Sequence, residues 1–459
     1  MEKKQMEFNW NDQQQDVIDW VVTGEGSLNL IARAGCGKTF TLVQGVVKTI
    51  VDKDLGEIAL MAYNKAAAEE FKGKLKEMGG EYNNWKKVTA GTVHSFGMSA
   101  VKFWSHKKAK VNGKKVAGIC GDLALEDFEV PSPEYSMYAV EEGPITKLVS
   151  LAKQSGFGFL VSPQDRKAWH ELAVHHAIND IVGDGHTIHD VIEASIEVLA
   201  RSISMDKFSI DFDDMILAPL VHNIRMWPKD WVLIDEAQDT NAARRALALK
   251  MLKPKTGRLI AVGDDRQAIY GFTGADADSL DKIADSLNSA KLPLTVTYRC
   301  PKAIVAEANR LVPDLVAHKT APDGIVRSMP LTVEVPDYYD ADASLKKVKA
   351  GELFPWFLKE EPGPLDVILC RNNVPLIETA YSMLGKGIAC MVEGREIGEG
   401  LINLVTRWKS IKNLQPLLSK LEDYQEKEIQ KWMAKDREDR AQGVEDKVQT
   451  VLAIANGLI

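Results

Sequence analysis

Ile31–Thr41, IARAGCGKTFT, is the stretch on which the fold turns. It approaches the phosphate-binding pattern G-x-x-x-x-G-K-[ST] but carries Ala32 where the first glycine belongs. The flanking sequence tells a phosphate loop from an ordinary glycine turn. LNLIA (28–32) is a short apolar run that reads as a buried strand, and 38–51 repeats its apolar residues at helical spacing. A strand, a glycine turn and a helix are the setting a phosphate loop needs. Gly35 and Gly37 let the N–H groups of Ala34, Gly35, Cys36 and Gly37 turn inward, and the helix N-terminus adds partial positive charge. In that reading Lys38 reaches the outer phosphates and the Thr39 hydroxyl holds Mg²⁺.

Two further blocks extend the pattern. WVLIDEAQDTN (231–241) is an apolar strand that ends in carboxylates, the position from which open α/β sheets address a ligand. Asp235 there suits a metal, and Glu236 suits proton abstraction from water. RLIAVGDDRQAIYGFTGA (258–275) is again a strand and a polar loop, with Gln267 placed to sense a terminal phosphate.

The forms A-x-A-G-x-G-K-T, D-E-x-Q-D-T-N and V-G-D-D-x-Q-x-I-Y-x-[FW]-x-G-A together resemble the UvrD/Rep-like superfamily 1A DNA helicases, whose loop commonly begins with alanine. Other segments follow in family order from residue 10 to about 400. WNDQQQDV (10–17) is similar to the glutamine motif and makes Gln14 the adenine reader. YNKAAAEEFK (63–72) and GTVHSFG (91–97) are similar to segments that face single-stranded DNA, which implies roles for Tyr63, Asn64, Lys65, Thr92 and His94. IDFDDMI (210–216) resembles a short motif before the acidic strand. LTVTYRCPKAIV (294–305) resembles N-Y-R-[ST], with Tyr298 on adenine and Arg299 as an arginine finger. DVILCRNN (366–373) resembles the strand that opens a second motor domain. Phe272 takes the place of the family's tryptophan as a base-stacking ring, and Ala62 replaces the aromatic of T-F-T-N-K. The resemblance implies ATP and Mg²⁺ as cofactors and 3′→5′ movement on single-stranded DNA or a partial duplex. It leaves open a DNA-stimulated ATPase that translocates without unwinding. The family's last two motifs are not found, so the reading expects a truncated chain that binds ATP and DNA but hydrolyses feebly.

Strands at 28–32, 57–62, 87–90, 231–235, 258–263 and 293–298 alternate with helical stretches, which means a parallel sheet covered on both faces. The expected fold is therefore α/β, and the resemblance implies that it is a P-loop NTPase (RecA-like) sheet with a helical insertion. Its expected division is a first motor domain of 1–97 and 211–290, a helical insertion of 98–210, and an incomplete second RecA-like domain of 291–459. Within the insertion, SHKKAKVNGKK (105–115) reads as a lysine-rich hairpin turning at Asn112-Gly113. Lys107, Lys108 and Lys110, with Lys114 and Lys115, face phosphates in one reading and plain solvent in the other. HELAVHH (170–176) departs from the zinc pattern H-E-x-x-H, since His170 and His175 stand roughly 140° apart on a helix. In the tail, Leu421, Tyr424, Ile429 and Trp432 are the positions expected to be buried on a charged helix at 421–440.

At 459 residues, 45% hydrophobic and 27% charged, the chain has material for about three domains and an ample core. Its net charge of −8 neither favours nor excludes nucleic acid, because a local basic groove outweighs the total. Cys36, Cys120, Cys300, Cys370 and Cys390 form no C-x-x-C pair, a pattern of reduced thiols without a disulfide frame. The charged start MEKKQMEFNW and the lack of a long apolar run point to a cytoplasmic protein without a membrane segment. No protein partner is legible.

Overall fold

The computed structural model describes residues 9–79, 87–125, 143–178, 185–204, 208–267 and 278–327. Shorter pieces are described at 128, 182, 363, 365–370 and between 376 and 455. Two compact units divide the chain, Met1–Arg327 and Ser328–Ile459.

The first unit is built on β1 (Leu28–Ala32), β2 (Ile58–Ala62), β3 (Val88–Thr92), β6 (Trp231–Ile234), β7 (Arg258–Gly263) and β8 (Ala290–Leu294). These pair in the order β3-β2-β6-β7-β1-β8, all parallel, with Leu28 beside Ile260 and Ala290, and Ile58 beside Val88 and Trp231. Near-continuous apolar strands suit a sheet buried on both faces. Alternate residues supply two cores. Leu28, Leu30, Leu60, Leu233, Ile260 and Val262 face one side, Met61, Val232, Ile234, Leu259 and Ala261 the other.

On the first face lie α1 (Asp12–Thr23), the helical run after the phosphate loop, and α4 (Lys65–Met78). That run is α-helical over α2 (Lys38–Phe40), π-helical over Thr41–Val47 and α-helical again over α3 (Lys48–Asp52). The second face carries α5 (Val93–Trp104), α10 (Asp214–Val221), α11 (Ala242–Lys250) and α12 (Ser279–Leu287). Because every strand is parallel, the phosphate loop, the acidic pair and the loops after β2, β3, β7 and β8 all emerge at one edge.

Between β3 and β6 the chain builds a separate helical core from α6 (Lys115–Asp122), α7 (Pro144–Gln154), α8 (Arg166–His175) and α9 (Ile188–Ser202), packed around Trp169, Ile145, Leu148 and Leu199. The expected hairpin is not formed. Lys110–Val111 (β4) pairs in parallel with Ser209–Ile210 (β5), a short neck where the chain leaves and rejoins the sheet domain. The Asn112 side-chain carbonyl accepts from Lys114 N (3.0 Å), a local turn that starts α6 instead of folding the strand back.

The boundary expected at 290/291 also moves. β8 is an edge strand of the same sheet, and the first unit continues through β9 (Val296–Thr297), α13 (Lys302–Ala308) and β10 (Val316–Ala317) to Arg327. An exposed strand edge beside β1 was free to be paired, and β8 pairs it.

In the second unit α14 (Ile397–Thr406) and α15 (Leu414–Met433) contribute to a small core of Leu404, Leu418, Leu421, Val448, Val451 and Ala455. Tyr424 packs against it and Ile429 is half-buried, while the Trp432 side chain lies outside the described residues. Asp366–Cys370 forms no strand pairing among the described residues, with Val367 and Leu369 exposed, and 371–373 lie outside them. Among the described residues no helix is long and apolar enough to cross a membrane.

Candidate functional site

The loop between β1 and α2 turns on Gly35 (φ 72°) and Gly37 (φ 81°), both left-handed, and Gly37 stands as N-cap of the helix that begins at Lys38. Gly35 is also fixed by space, since a Cβ there would lie 2.6 Å from both Thr297 Oγ1 and Arg299 Cβ. The loop is thereby pressed onto the segment after β8. Arg33 N donates to Leu294 O (2.8 Å) and Tyr298 N to Gly35 O (2.9 Å). Ala34 and Thr39 are half-buried. The Cys36 thiol is buried and pushed up to about 11 by that burial, so it fills space as a neutral group.

Lys38 Nζ reaches across to Glu236 Oε2 at 2.5 Å and joins the loop to the acidic strand. Glu236 is held in the left-handed region (φ 49°, ψ 47°), a conformation that costs a non-glycine residue about 1–3 kcal/mol. Gln238 braces the turn, donating to Glu236 Oε2 (2.9 Å) and accepting from Asp264 N (3.1 Å). Asp235 begins at the buried end of β6, where its N–H donates to Met61 O (3.0 Å). Its carboxyl is buried, and Oδ1 has no hydrogen-bond partner among the described residues. Burial, then the neighbouring charge of Glu236, pushes this acid up to about 6. Asp239 shares the same two causes, the same value and an unpartnered buried Oδ1. A pocket that holds acids against their preference for water suits a cation.

The other nucleotide-side residues surround this centre. Gln14 is buried with both ends of its carboxamide engaged. Oε1 accepts from Asn11 N (3.2 Å) and Nε2 donates to Thr41 Oγ1 (3.1 Å), so it braces the helix after the loop. Gln13 ties α1 to Thr295, and Asn11 Nδ2 donates to the Tyr298 hydroxyl at 2.8 Å. The half-exposed Tyr298 ring lies 4.7 Å from that of His318. Arg299 is exposed beside the loop. Gln267 turns back on its own loop, Nε2 donating to Asp264 Oδ2 at 2.7 Å.

The residues expected to face a nucleic acid strand lie at the ends of β2 and β3. Asn64 and Thr92 spend their side chains as N-caps of α4 and α5, accepting from Ala67 N (2.9 Å) and Ser95 N (3.1 Å). Lys65 is exposed. His94 is half-buried, and burial and then the Arg244 charge push it down to about 4, so it is neutral at pH 7. Arg244 also stacks over the Tyr63 ring, 5.1 Å from its centre. Phe272 lies outside the described residues. Lys107, Lys108 and Lys110 are exposed, and Lys107 shares left-handed backbone with His106. Lys115 corrects the reading of its neighbours. It is buried, with Nζ donating to Asp214 Oδ2 (2.6 Å) and Ser202 O (2.7 Å), and so cannot face phosphate.

Arg33, Gln238 and Arg244 brace residues of the site from outside it, and sequence reasoning missed them. For Arg33 the signal was a lone charge between apolar residues in IARAG, which has to be paired if the strand before it is buried. Among the described residues no group of three or more His, Cys, Asp or Glu side chains is arranged to hold a metal.

Comparison with known proteins places the chain among relatives. Residues 14–273 match the family model described as AAA domain. The chain is 26% identical over 342 residues to a probable DNA helicase II homolog of Mycoplasma pneumoniae, covering 70% of this chain and 45% of that protein. It is 23% identical over 316 residues to the ATP-dependent DNA helicase PcrA of Staphylococcus epidermidis, covering 66% and 40%. Against DNA helicase IV of Escherichia coli it is 26% identical over 326 residues, covering 64% and 46%. Each match spans less than half of the relative's length.

Proposed function

From a chain that belongs to the AAA domain family, and within it to the UvrD/Rep-like superfamily 1A group, we propose the motor portion of an ATP-dependent DNA helicase. The observation that carries the proposal is the meeting of Lys38, Glu236 and Asp235, whose buried Oδ1 has no partner among the described residues, at the mouth of a left-handed glycine loop. Those residues fit Mg²⁺ bound with a nucleotide. Asp235 and the Thr39 hydroxyl would hold the ion, which supplies charge neutralisation for the phosphates. The N–H groups of 34–37 would cradle phosphate, and Lys38 would exchange Glu236 for the outer phosphate oxygens. Glu236, held in place by Gln238, then takes a proton from the attacking water. Gln267 senses the terminal phosphate and Arg299 neutralises charge in the transition state.

The pressing of the loop onto Thr297–Arg299 supports this division of roles, because nucleotide and finger are thereby neighbours. Gln14 and Tyr298 border the adenine end. Tyr63, Lys65 and Arg244 then lie along the path of single-stranded DNA, with 3′→5′ movement as the resemblance implies. A fluorescent ATP analogue with Mg²⁺ is expected to bind this chain and to be lost from Lys38→Ala. Glu236→Gln should keep binding and lose DNA-stimulated hydrolysis, and Arg299→Ala should lower turnover by about 10³-fold. Binding untouched by Lys38→Ala would overturn the site, and full turnover in Arg299→Ala would overturn the finger.

A further inference from the structure

Arg33 occupies a position that the phosphate-loop pattern leaves open, yet its side chain is buried, at 8% exposure. A buried guanidinium requires carboxylates, and its planar fork can serve more than one. It finds three. Nε donates to Asp314 Oδ1 and Oδ2 (3.0 and 2.9 Å), with NH2 also 2.9 Å from Oδ2. NH1 donates to Asp264 Oδ1 at 2.8 Å and to Asp265.

Asp264 is the node of a longer path. Its Oδ2 accepts from Gln267, its N–H donates to Gln238, Gln238 donates to Glu236, and Glu236 holds Lys38. A continuous chain of polar contacts thus joins the phosphate-loop lysine to Asp314. Asp314 leads into β10, which is paired with β9, and β9 runs directly into Tyr298 and Arg299. When phosphate takes Lys38 from Glu236, the acceptors open to Gln238 change, and with them the setting of Asp264, which Arg33 shares with Asp314.

We propose that Arg33 is a positioning residue that transmits nucleotide occupancy from the phosphate loop, through the 264–267 loop, to the β9–β10 pair that carries Tyr298 and Arg299. The proposal rests on the nucleotide reading above, and its test separates the two. Hydrogen exchange is measured with and without Mg²⁺ and a non-hydrolysable ATP analogue. In the unaltered chain the analogue should protect amides 34–41 and also those of Val316 and His318, which donate to Thr295 O and Thr297 O at 3.0 Å each. Arg33→Lys keeps the charge but not the fork, and Asp314→Asn removes the far negative charge and one of its two acceptor oxygens at a half-exposed side chain. Both variants should keep analogue affinity within about threefold, a change under about 1 kcal/mol. Both should keep protection at 34–41 and lose the ligand-dependent part at 316 and 318. A purely structural role would instead raise exchange with or without ligand. Protection at 316 and 318 that persists in both variants, or is absent from the unaltered chain while 34–41 is protected, overturns the proposal. No protection at 34–41, or the same protection in Lys38→Ala, overturns the nucleotide reading and the proposal with it.

Discussion

Two buried acidic clusters follow two strands of this protein, and they have opposite fates. After β5 come Asp211, Asp213 and Asp214; after β6 come Asp235, Glu236 and Asp239. In the first cluster the hydrogen-bonding is closed. Lys153 pairs with Asp211 and with Asp214 (2.8 Å to the latter), Lys115 with Asp214, and Ser150 donates to Asp213 Oδ2 at 2.6 Å. Asp211 and Asp214 also accept each other's backbone N–H. In the second cluster Lys38 serves Glu236, while Asp235 Oδ1 and Asp239 Oδ1 are left buried without a partner among the described residues. The first cluster binds the helical insertion to the sheet domain. The second keeps two buried acceptors open, which the proposed function gives to a cation. The difference lies in the supply of fixed positive charge, and neither short sequence reveals it alone.

The largest expected effect breaks the closed cluster. Burial works against the charge of Lys153, but Asp214 and Asp211 hold its pKa above the ordinary value, so the folded protein keeps it as an ammonium. Lys153→Met removes the cation that Asp211 and Asp214 share and leaves the buried Asp211 with no ammonium partner, which should cost about 3–5 kcal/mol in urea unfolding of the first unit. Asp235→Asn should do the reverse. An acid pushed from 3.8 to about 6 is disfavoured as an anion at pH 7, so its neutral isostere should stabilise by about 1–3 kcal/mol at roughly 1.4 kcal/mol per unit. A strongly destabilised Asp235→Asn, or a Lys153→Met that unfolds like the unaltered protein, would remove the distinction between the clusters.

Much of this was legible beforehand. Apolar runs at 28–32, 58–62, 231–234 and 258–263 have one comfortable place, a parallel sheet buried on both faces, and the loops after them carried the motifs. Pairing partners were less legible. β8 looked like the start of a new domain because its sequence, AKLPL, is neither strongly apolar nor periodic, yet it pairs with the open side of β1 and buries Leu294 in the core of the first face. Lys115 looked like one more surface lysine because burial depends on what packs above it, here Ser202 and Asp214, 87 and 99 residues away. Arg33 was passed over for the same reason, its three carboxylates being 231 to 281 residues distant.

A pH series sharpens the comparison with a smaller effect, about tenfold per unit. Protons compete with Mg²⁺ for Asp235, so Mg²⁺-dependent nucleotide affinity should fall about tenfold for each unit below its value near 6. Stability without ligand moves the other way. A folded pKa raised above the unfolded one contributes stability that is complete below about 4 and lost as pH rises through about 6. Asp213 and Asp239, also near 6, share that slope, so the Asp235 part is the portion that disappears in Asp235→Asn. Affinity that is flat between pH 7 and pH 5 would mean that Asp235 is not the ligand.

The smallest effect separates lysines that are neighbours in sequence. Lys107, Lys108 and Lys110 are exposed around a left-handed turn beside the neck, whereas Lys115 is sealed into the closed cluster. Exposed lysines that meet phosphates release counterions on binding, so replacing the three with glutamine should weaken single-stranded DNA binding alike for all sequences. The log–log salt dependence should flatten by about 0.7 unit for each phosphate no longer neutralised. Lys115→Met should leave that slope unchanged and lower stability instead, because its ammonium already has Asp214 and the Ser202 carbonyl as partners. The two variants are read in the same titration, so a weakened fold cannot pass for a missing lysine–phosphate pair. An unchanged slope in the triple variant would assign Lys107, Lys108 and Lys110 to plain solvated surface. A slope that falls with Lys115→Met would mean that the neck opens on DNA and frees that lysine, and that the closed cluster is closed only in the absence of the strand.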